Sequence, residues 1–171
     1  MKIFKEKYPH FDELVKQTLN IIETTPILNS NICPNGQLSI QTDKENSKDW
    51  FAGTGGAKGK FEWELSFDKL HLSIQGTPIE DYLKWLEVPV YRTRLMLTKP
   101  KFVYSIHRDY SPRLHLPLIT NPQCYFLFKD PAEFIHMPAD GRTYWIDTRK
   151  EHTFMNGSIE NRFHLVMIVK E

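Results

Sequence analysis

The second half of the chain alternates between short runs of β-forming residues and single residues that break strands. About eight such runs follow Pro89, and Pro, Gly, Asn and Asp separate them. The runs are VYRTRLMLT, KFVYSIH, RLHLPLIT, CYFLFK, EFIHM, TYWID, HTFMN and RFHLVMIV. Many short strands without helical patterns between them are typical of an antiparallel sandwich or barrel. We therefore predict a mainly β fold over residues 90–171, a double-stranded β-helix of the jelly-roll, cupin-like type.

Residues 1–89 are predicted to supply helices and loops. Apolar residues recur at three- and four-residue steps from Phe11 to Glu23, which predicts an amphipathic helix. A proline near each end brackets a shorter helix from Ile79 to Leu86. The polar, Gly-rich stretch from Asn29 to Lys60 predicts short strands and loops. We expect the helices to pack on the outside of the β structure and the chain 1–171 to form a single domain.

Composition excludes several classes of function. Lys and Arg number 22 against 21 Asp and Glu, and this net charge of +1 provides no field that would attract nucleic acid or an anionic membrane. The sequence has no apolar run long enough for a membrane span and no signal-peptide pattern. Cys33 and Cys124 do not form a CxxC pair, which fits reduced thiols. The expectation is a soluble cytoplasmic protein.

His107 and Asp109 are the first candidates for metal ligands. Side chains alternate along a strand, so the one-residue gap puts both on the same side. His152, on a later strand, is the candidate for a third ligand. Two histidines and one carboxylate form the facial triad that leaves three positions open on Fe(II). The competing interpretation of the His-x-Asp pair is a hydrogen-bonded surface pair.

Arg162 follows His152 by ten residues and begins a strand that is otherwise almost entirely apolar. A guanidinium pointing into the same cavity would bind a dicarboxylate through paired N–H donors. The alternative is a structural ion pair, although an unpaired guanidinium on such a strand would be costly.

The segments YRTRLML, YSIHRD, RLHLPLITN, GRTYWIDTRKEHTFMN and NRFHLVMIV extend these observations. In this order they resemble the aspartyl/asparaginyl β-hydroxylase group of the Fe(II)/2-oxoglutarate-dependent oxygenases, a group related to proline hydroxylases. The resemblance covers Tyr91 to Val169. His-x-Asp alone is a weak signal, but its combination with the later motifs is specific.

The resemblance implies three iron ligands, which are His107, Asp109 and His152. It implies that Arg162 binds the distal carboxylate of 2-oxoglutarate and that Arg113 and His115 also contact this cosubstrate. A core histidine is the alternative for His115, and His164 shares the orientation of Arg162 and either faces the cavity or packs in the core.

Arg94 and Arg92 are the candidates for binding the substrate. The family alignment puts Met96 beside the cosubstrate, where vertebrate-type enzymes carry a hydroxyl group. Strand alternation then brings Arg94 to the same face, with Arg92 as the second choice. The alternative is that both arginines are solvated charges on the outside of the strand.

Together these features predict a hydroxylase that uses Fe(II), 2-oxoglutarate and O₂. We expect it to hydroxylate a C–H bond of an amino acid, or of an Asp/Asn-type residue in a peptide or protein, and to release succinate and CO₂. Two alternatives remain: a non-catalytic cupin-like ligand-binding domain, and a cupin dioxygenase that does not use 2-oxoglutarate. No nucleic-acid or membrane partner is expected.

Overall fold

The computed structural model describes residues 1–25, 36–56 and 60–170. The helices in these ranges are α1 (Phe11–Thr24), α2 (Phe61–Leu65), α3 (Pro78–Trp85) and a 3₁₀ helix (Leu72–Ile74). The strands are β1 (Lys2–Lys5), β2 (Gln37–Ser39), β3 (Gln41–Thr42), β4 (Lys69–Leu70), β5 (Val90–Thr98), β6 (Phe102–Val103), β7 (Arg113–Ile119), β8 (Cys124–Phe128), β9 (Glu133–Ile135), β10 (Thr143–Ile146), β11 (His152–Asn156) and β12 (Arg162–Val169).

Two antiparallel sheets form the body of the protein. The larger has six strands in the order β1-β10-β7-β12-β5-β2, and the smaller has four in the order β6-β11-β8-β9. From β5 onward, successive strands pass from one sheet to the other, except for the neighbours β8 and β9, as in a jelly roll. The predicted fold class is confirmed, and β5 to β12 are the eight strands expected after Pro89.

The large sheet has an apolar outer face that is covered by helices. Leu95 of β5 and Leu165 of β12 are completely buried in one cluster with Leu14 of α1 and Ile79 of α3. A second apolar cluster, which includes Phe126 of β8, lies on the other side of the large sheet, between the two sheets. Burial on both faces explains why the central strands are almost continuously buried. The helices therefore pack outside, and both predicted helices, one from periodicity and one from its flanking prolines, agree with α1 and α3 to within a residue.

The jelly roll also takes strands from the first half of the chain. β1 pairs with β10, and β2 pairs with β5. The expectation that the jelly-roll strands are confined to residues 90–171 was therefore wrong. The short strands predicted between Asn29 and Lys60 are found as β2 and β3. Cys33 and the rest of residues 26–35 and 57–59 lie outside the described residues.

β5 contains an irregularity that sequence alternation does not predict. The register with β12 shifts between Val166 and Ile168, and Arg92, on the facing part of β5, has a positive φ of 46°. A bulge of this kind redirects side chains along the strand. Arg92 and Arg94 consequently have different surroundings, as described below.

No helix in the described ranges combines the length and the apolar character that crossing a membrane requires.

Candidate active site

A cavity of about 590 Å³ lies between the two sheets. Side chains from β5, β7 and β12 form one wall, and β8 and β11 form the opposite wall. All eight residues predicted to form the site line this cavity: His107, Asp109, His152, Arg162, Arg113, His115, Arg94 and Arg92. The six predicted residues on strands therefore lie on the faces that border the cavity.

A narrow antiparallel bridge holds His107 beside His152. Each residue donates its backbone N–H to the carbonyl of the other, over N–O distances of 3.0 and 2.9 Å. The ring centroids lie 4.4 Å apart. The ring of Phe126 stacks on that of His152 at a centroid distance of 4.8 Å and restricts its rotation. The two imidazoles are thus positioned by the backbone and by packing.

Both histidines present the same ring nitrogen to the cavity. Nδ1 of His107 lies 2.7 Å from the carbonyl oxygen of Ser105, and Nδ1 of His152 lies 2.8 Å from that of Lys150. A carbonyl only accepts, so each Nδ1 carries the proton and each Nε2 keeps its lone pair. Burial lowers the pKa of His152 and so favours the neutral ring that binds metals.

Asp109 completes the group. Its backbone N–H donates to the carbonyl of Thr148 at 2.8 Å, and its Oδ2 lies 4.0 Å from Nε2 of His152. One potential ligand atom from each of His107, Asp109 and His152 lies within 4.8 Å of the others. Two imidazole nitrogens and a carboxylate oxygen are the donor set of a facial triad, so these residues fit a divalent iron ion.

Arg162 is buried in the same cavity. Its side chain is stacked over the ring of Phe154, with Cζ 3.6 Å from the centroid, and an Nη2 hydrogen bond reaches Nδ1 of His164. Among the described residues Nε has no hydrogen-bond partner, and no carboxylate lies within ion-pair distance of the guanidinium. Burial lowers the pKa of Arg162 to about 9, so the group stays cationic at neutral pH.

His115 and His164 face each other across the cavity wall, with ring centroids 5.9 Å apart. Both are buried, and burial lowers the pKa of each well below its usual value, with the nearby Arg162 adding to the effect. Neither ring nitrogen of His115 has a partner among the described residues, nor does Nε2 of His164. His115 is therefore a neutral imidazole with two nitrogens available to a ligand.

Arg113 and Arg92 share a carboxylate that the sequence reasoning missed. Oε1 of the completely buried Glu64 lies 2.7 Å from Nη2 of Arg113 and 2.6 Å from Nη1 of Arg92. Nε and Nη2 of Arg92 donate to the carbonyls of Gly53 and Gly55, each at 2.8 Å. With all three nitrogens bonded to protein, Arg92 has the contacts of a scaffold residue.

Arg113 also reaches the candidate metal ligands, because its Nη2 lies 3.3 Å from Oδ1 of Asp109. Glu64 lies on the short helix α2, where a glutamate in the segment FEWEL resembles an ordinary solvated residue. No pattern of spacing could have identified it before the fold was known.

A family model described as aspartyl/asparaginyl β-hydroxylase matches residues 81–171, which is more than half of the chain. The chain belongs to this family. The β-hydroxylase match contains every predicted site residue and ends with the chain, whereas Gln37, Gly55 and Glu64 lie before it. A search of curated protein sequences returned no significant match.

The solved structures that resemble this member of the β-hydroxylase family include a monooxygenase and a cupin domain. A structure described as the non-heme monooxygenase ThoJ in its apo form aligns over 99% of this chain and 73% of its own, with a TM-score of 0.53 and 10% identity. A cupin domain from Bordetella pertussis aligns over 48% of this chain and 82% of its own, with a TM-score of 0.41 and 17% identity. A predicted oxalate decarboxylase from Thermotoga maritima aligns over 52% and 74%, with a TM-score of 0.38 and 13% identity.

Proposed function

We propose that this protein is a non-haem Fe(II), 2-oxoglutarate-dependent dioxygenase that hydroxylates a C–H bond of an amino acid or of an Asp/Asn-type residue in a protein. One atom of O₂ enters the substrate as hydroxyl, the other enters succinate, and CO₂ is released. The observation that carries the proposal is Arg162, a buried guanidinium without a carboxylate partner among the described residues, in the cavity of the His107, Asp109 and His152 group.

The triad residues fit iron and would hold it through Nε2 of His107, a carboxylate oxygen of Asp109 and Nε2 of His152. Bound iron would supply the activation of O₂, which is the oxidant, and 2-oxoglutarate would supply two of the electrons that reduce it. The chain contributes orientation, since the carbonyls of Ser105 and Lys150 fix the tautomers of both ligands before any metal arrives.

Arg162 would bind the distal carboxylate of 2-oxoglutarate and set the direction of the cosubstrate. The ring of Phe154 covers one face of the guanidinium and excludes water from it. A charge-assisted hydrogen bond is stronger in such a dry site than in solvent. Neutral His115, with two unpaired nitrogens, is suited to a second contact with the cosubstrate.

Thermal denaturation with added ligands tests the function. Mn(II), a redox-inactive substitute for Fe(II), should raise the melting temperature, and 2-oxoglutarate should raise it further only when the metal is present. At about 100 times the dissociation constant, each ligand adds about 2.7 kcal/mol, or about 5–10 °C for a protein of this size. Turnover is then measured as succinate formed in air with Fe(II).

Arg162→Gln should weaken 2-oxoglutarate binding about tenfold or more and leave Mn(II) binding nearly unchanged. Arg142→Gln is the matched control, because Arg142 is a surface arginine outside the cavity. Metal binding without any 2-oxoglutarate effect would favour a cupin dioxygenase of another kind. Absence of metal binding would favour a ligand-binding domain.

A further inference from the structure

Arg94 is a second buried guanidinium that has no described carboxylate within ion-pair distance. Its residue is 6% exposed, and Nη1 donates to Oε1 of Gln37 at 2.9 Å and weakly to the carbonyl of Gly55 at 3.4 Å. The Nε–Nη2 edge makes no hydrogen bond to the described part of the chain. Arg94 lines the cavity, and its Nε–Nη2 edge is the pair of donors that binds a carboxylate in a bidentate manner.

The neighbouring arginines do not have this property. Arg92 and Arg113 both contact Glu64, at 2.6 and 2.7 Å, and Arg113 also contacts Asp109 at 3.3 Å, whereas neither carboxylate lies within ion-pair distance of Arg94. Burial is the main cause that lowers the pKa of Arg94, the positive charges of Arg92 and Arg113 add to it, and the more distant Asp109 and Glu64 act in the opposite sense. An uncompensated buried cation is costly for a protein to keep unless a ligand supplies the missing negative charge.

Arg94 is too far along the sheet to duplicate the role of Arg162. Arg94 pairs with Val166 in the register of β5 and β12, and Val166 lies four residues beyond Arg162 on the same strand. Four residues of strand span about 13 Å, which exceeds the length of 2-oxoglutarate. The two arginines therefore stand at different ends of the cavity wall.

We propose that Arg94, oriented by Gln37, binds a carboxylate of the primary substrate. This inference rests on the proposed function and adds a second anion subsite to it. Oε1 of Gln37 also accepts the backbone N–H of Gly55 at 3.1 Å, which fixes the amide and hence the direction of the guanidinium. Gln37 and Gly55 precede the residues matched by the family model, so this subsite depends on a part of the chain that the family match does not describe.

A carboxylate fits this subsite for reasons of shape and space. The planar guanidinium edge matches the two oxygens of one carboxylate. The cavity of about 590 Å³ must also contain the cosubstrate, which limits the substrate to a small acid or to one acidic side chain of a peptide. Once the carboxylate is held, its position decides which C–H bond faces the metal ligands.

The experiment compares acids with their amides. One arm contains free L-amino acids and their primary amides, and the other contains capped peptides with Asp or Asn as the variable residue. Oxidised product and succinate are measured in the same Fe(II) reaction. We expect that acids stimulate succinate formation and that the matched amides do not. Stimulation by free acids identifies a small-molecule substrate, and stimulation by Asp peptides identifies a protein side chain.

For a stimulating acid, Arg94→Gln should raise KM about tenfold or more and raise the ratio of succinate to hydroxylated product. Arg94→Lys should recover part of the affinity because it keeps the charge. The affinity of the Mn(II) form for 2-oxoglutarate should stay within about twofold in both variants. Arg142→Gln serves as the control with unchanged KM.

Equal use of acid and amide, an unchanged KM in Arg94→Gln, or loss of 2-oxoglutarate affinity in that variant would each overturn the proposal. So would a panel without any stimulating acid in a protein that binds Mn(II) and 2-oxoglutarate. If the parent protein binds neither ligand, the proposed function itself fails. Because no described carboxylate forms an ion pair with Arg94, neither variant should have a lower melting temperature than the parent, and this measurement verifies folding.

Discussion

The tautomers of His107 and His152 are fixed by single backbone carbonyls two residues before each ring. A ligand that is already in its metal-binding form loses little freedom when the metal binds. The same arrangement implies that each histidine would contribute to metal affinity through the position of its ring as well as through the lone pair on Nε2.

His152→Ala should lower the affinity for Mn(II) by about 100-fold or more, since replacing even a supporting partner of a ligand costs about 10- to 100-fold. The measurement is isothermal titration of the metal-free protein. His10→Ala is the control, because His10 is an exposed residue outside the cavity. An unchanged affinity in His152→Ala would remove this residue from the ligand set.

At the level of elements, the short helix α2 connects two arginine-bearing strands. Its Glu64 contacts Arg92 of β5 and Arg113 of β7, and all three side chains are at most 2% exposed. Oε2 of Glu64 also lies 3.3 Å from the hydroxyl of Ser111. The helix thereby carries the negative charge that lets two cations lie inside the jelly roll.

Glu64→Gln should destabilise the protein by about 3–5 kcal/mol, because it leaves buried Arg92 without a described carboxylate and Arg113 with only its longer contact to Asp109. Urea unfolding measures the change, and Glu62→Gln on the exposed side of the same helix is the matched control. The double variant Glu64→Gln/Arg92→Gln should recover part of the loss. A cost below about 1 kcal/mol, as for an exposed pair, would contradict this account.

Periodicity predicted α1 because this helix buries one face and exposes the other, and the prolines near its two ends predicted α3. Alternation also predicted correctly that Arg94 faces the cavity. It did not predict the bulge at Arg92, whose positive φ depends on the pairing of β5 with β12. A bulge is a property of two paired strands, and one strand read alone contains no signal for it.

At the scale of the whole molecule, histidines buried as neutral rings link stability to pH. Burial lowers the pKa of His115 and of His164 well below the ordinary value of 6.5. The unfolded chain binds protons at these rings near pH 6.5 and the folded protein does not. Stability from this source is therefore complete above that pH and declines as the pH falls below it.

One pH unit below the ordinary value, each ring should cost about 1.4 kcal/mol of stability. Melting temperatures at pH 7.5 and about two units lower measure the decline. His164→Asn should show a smaller decline than the parent, and His10→Asn should match the parent. Identical declines in His164→Asn and the parent would mean that other groups govern the acid limit.

The candidate site was more predictable than its surroundings. All eight predicted residues line the cavity, and six of them lie on β5, β7, β11 and β12, where side chains alternate with a period of two. Gln37, which lines the cavity, and Glu64, which contacts two of its arginines, were not identified, since both contacts depend on packing between distant segments. The pairing of β1 and β2 with the large sheet was not predicted either, because it also depends on contacts between distant segments.

The cavity is lined by residues from two different segments of the chain, and this division affects how its substrate preference can change. The metal-ligand group and Arg162 lie within residues 81–171, whereas Gln37 and Gly55 come from the preceding segment. Substitutions or insertions in that segment can reshape the end of the cavity next to Arg94 without altering a candidate metal ligand. Mutant libraries restricted to residues 36–56 would consequently be the economical route to new substrates, with oxidative chemistry inherited unchanged from the second half.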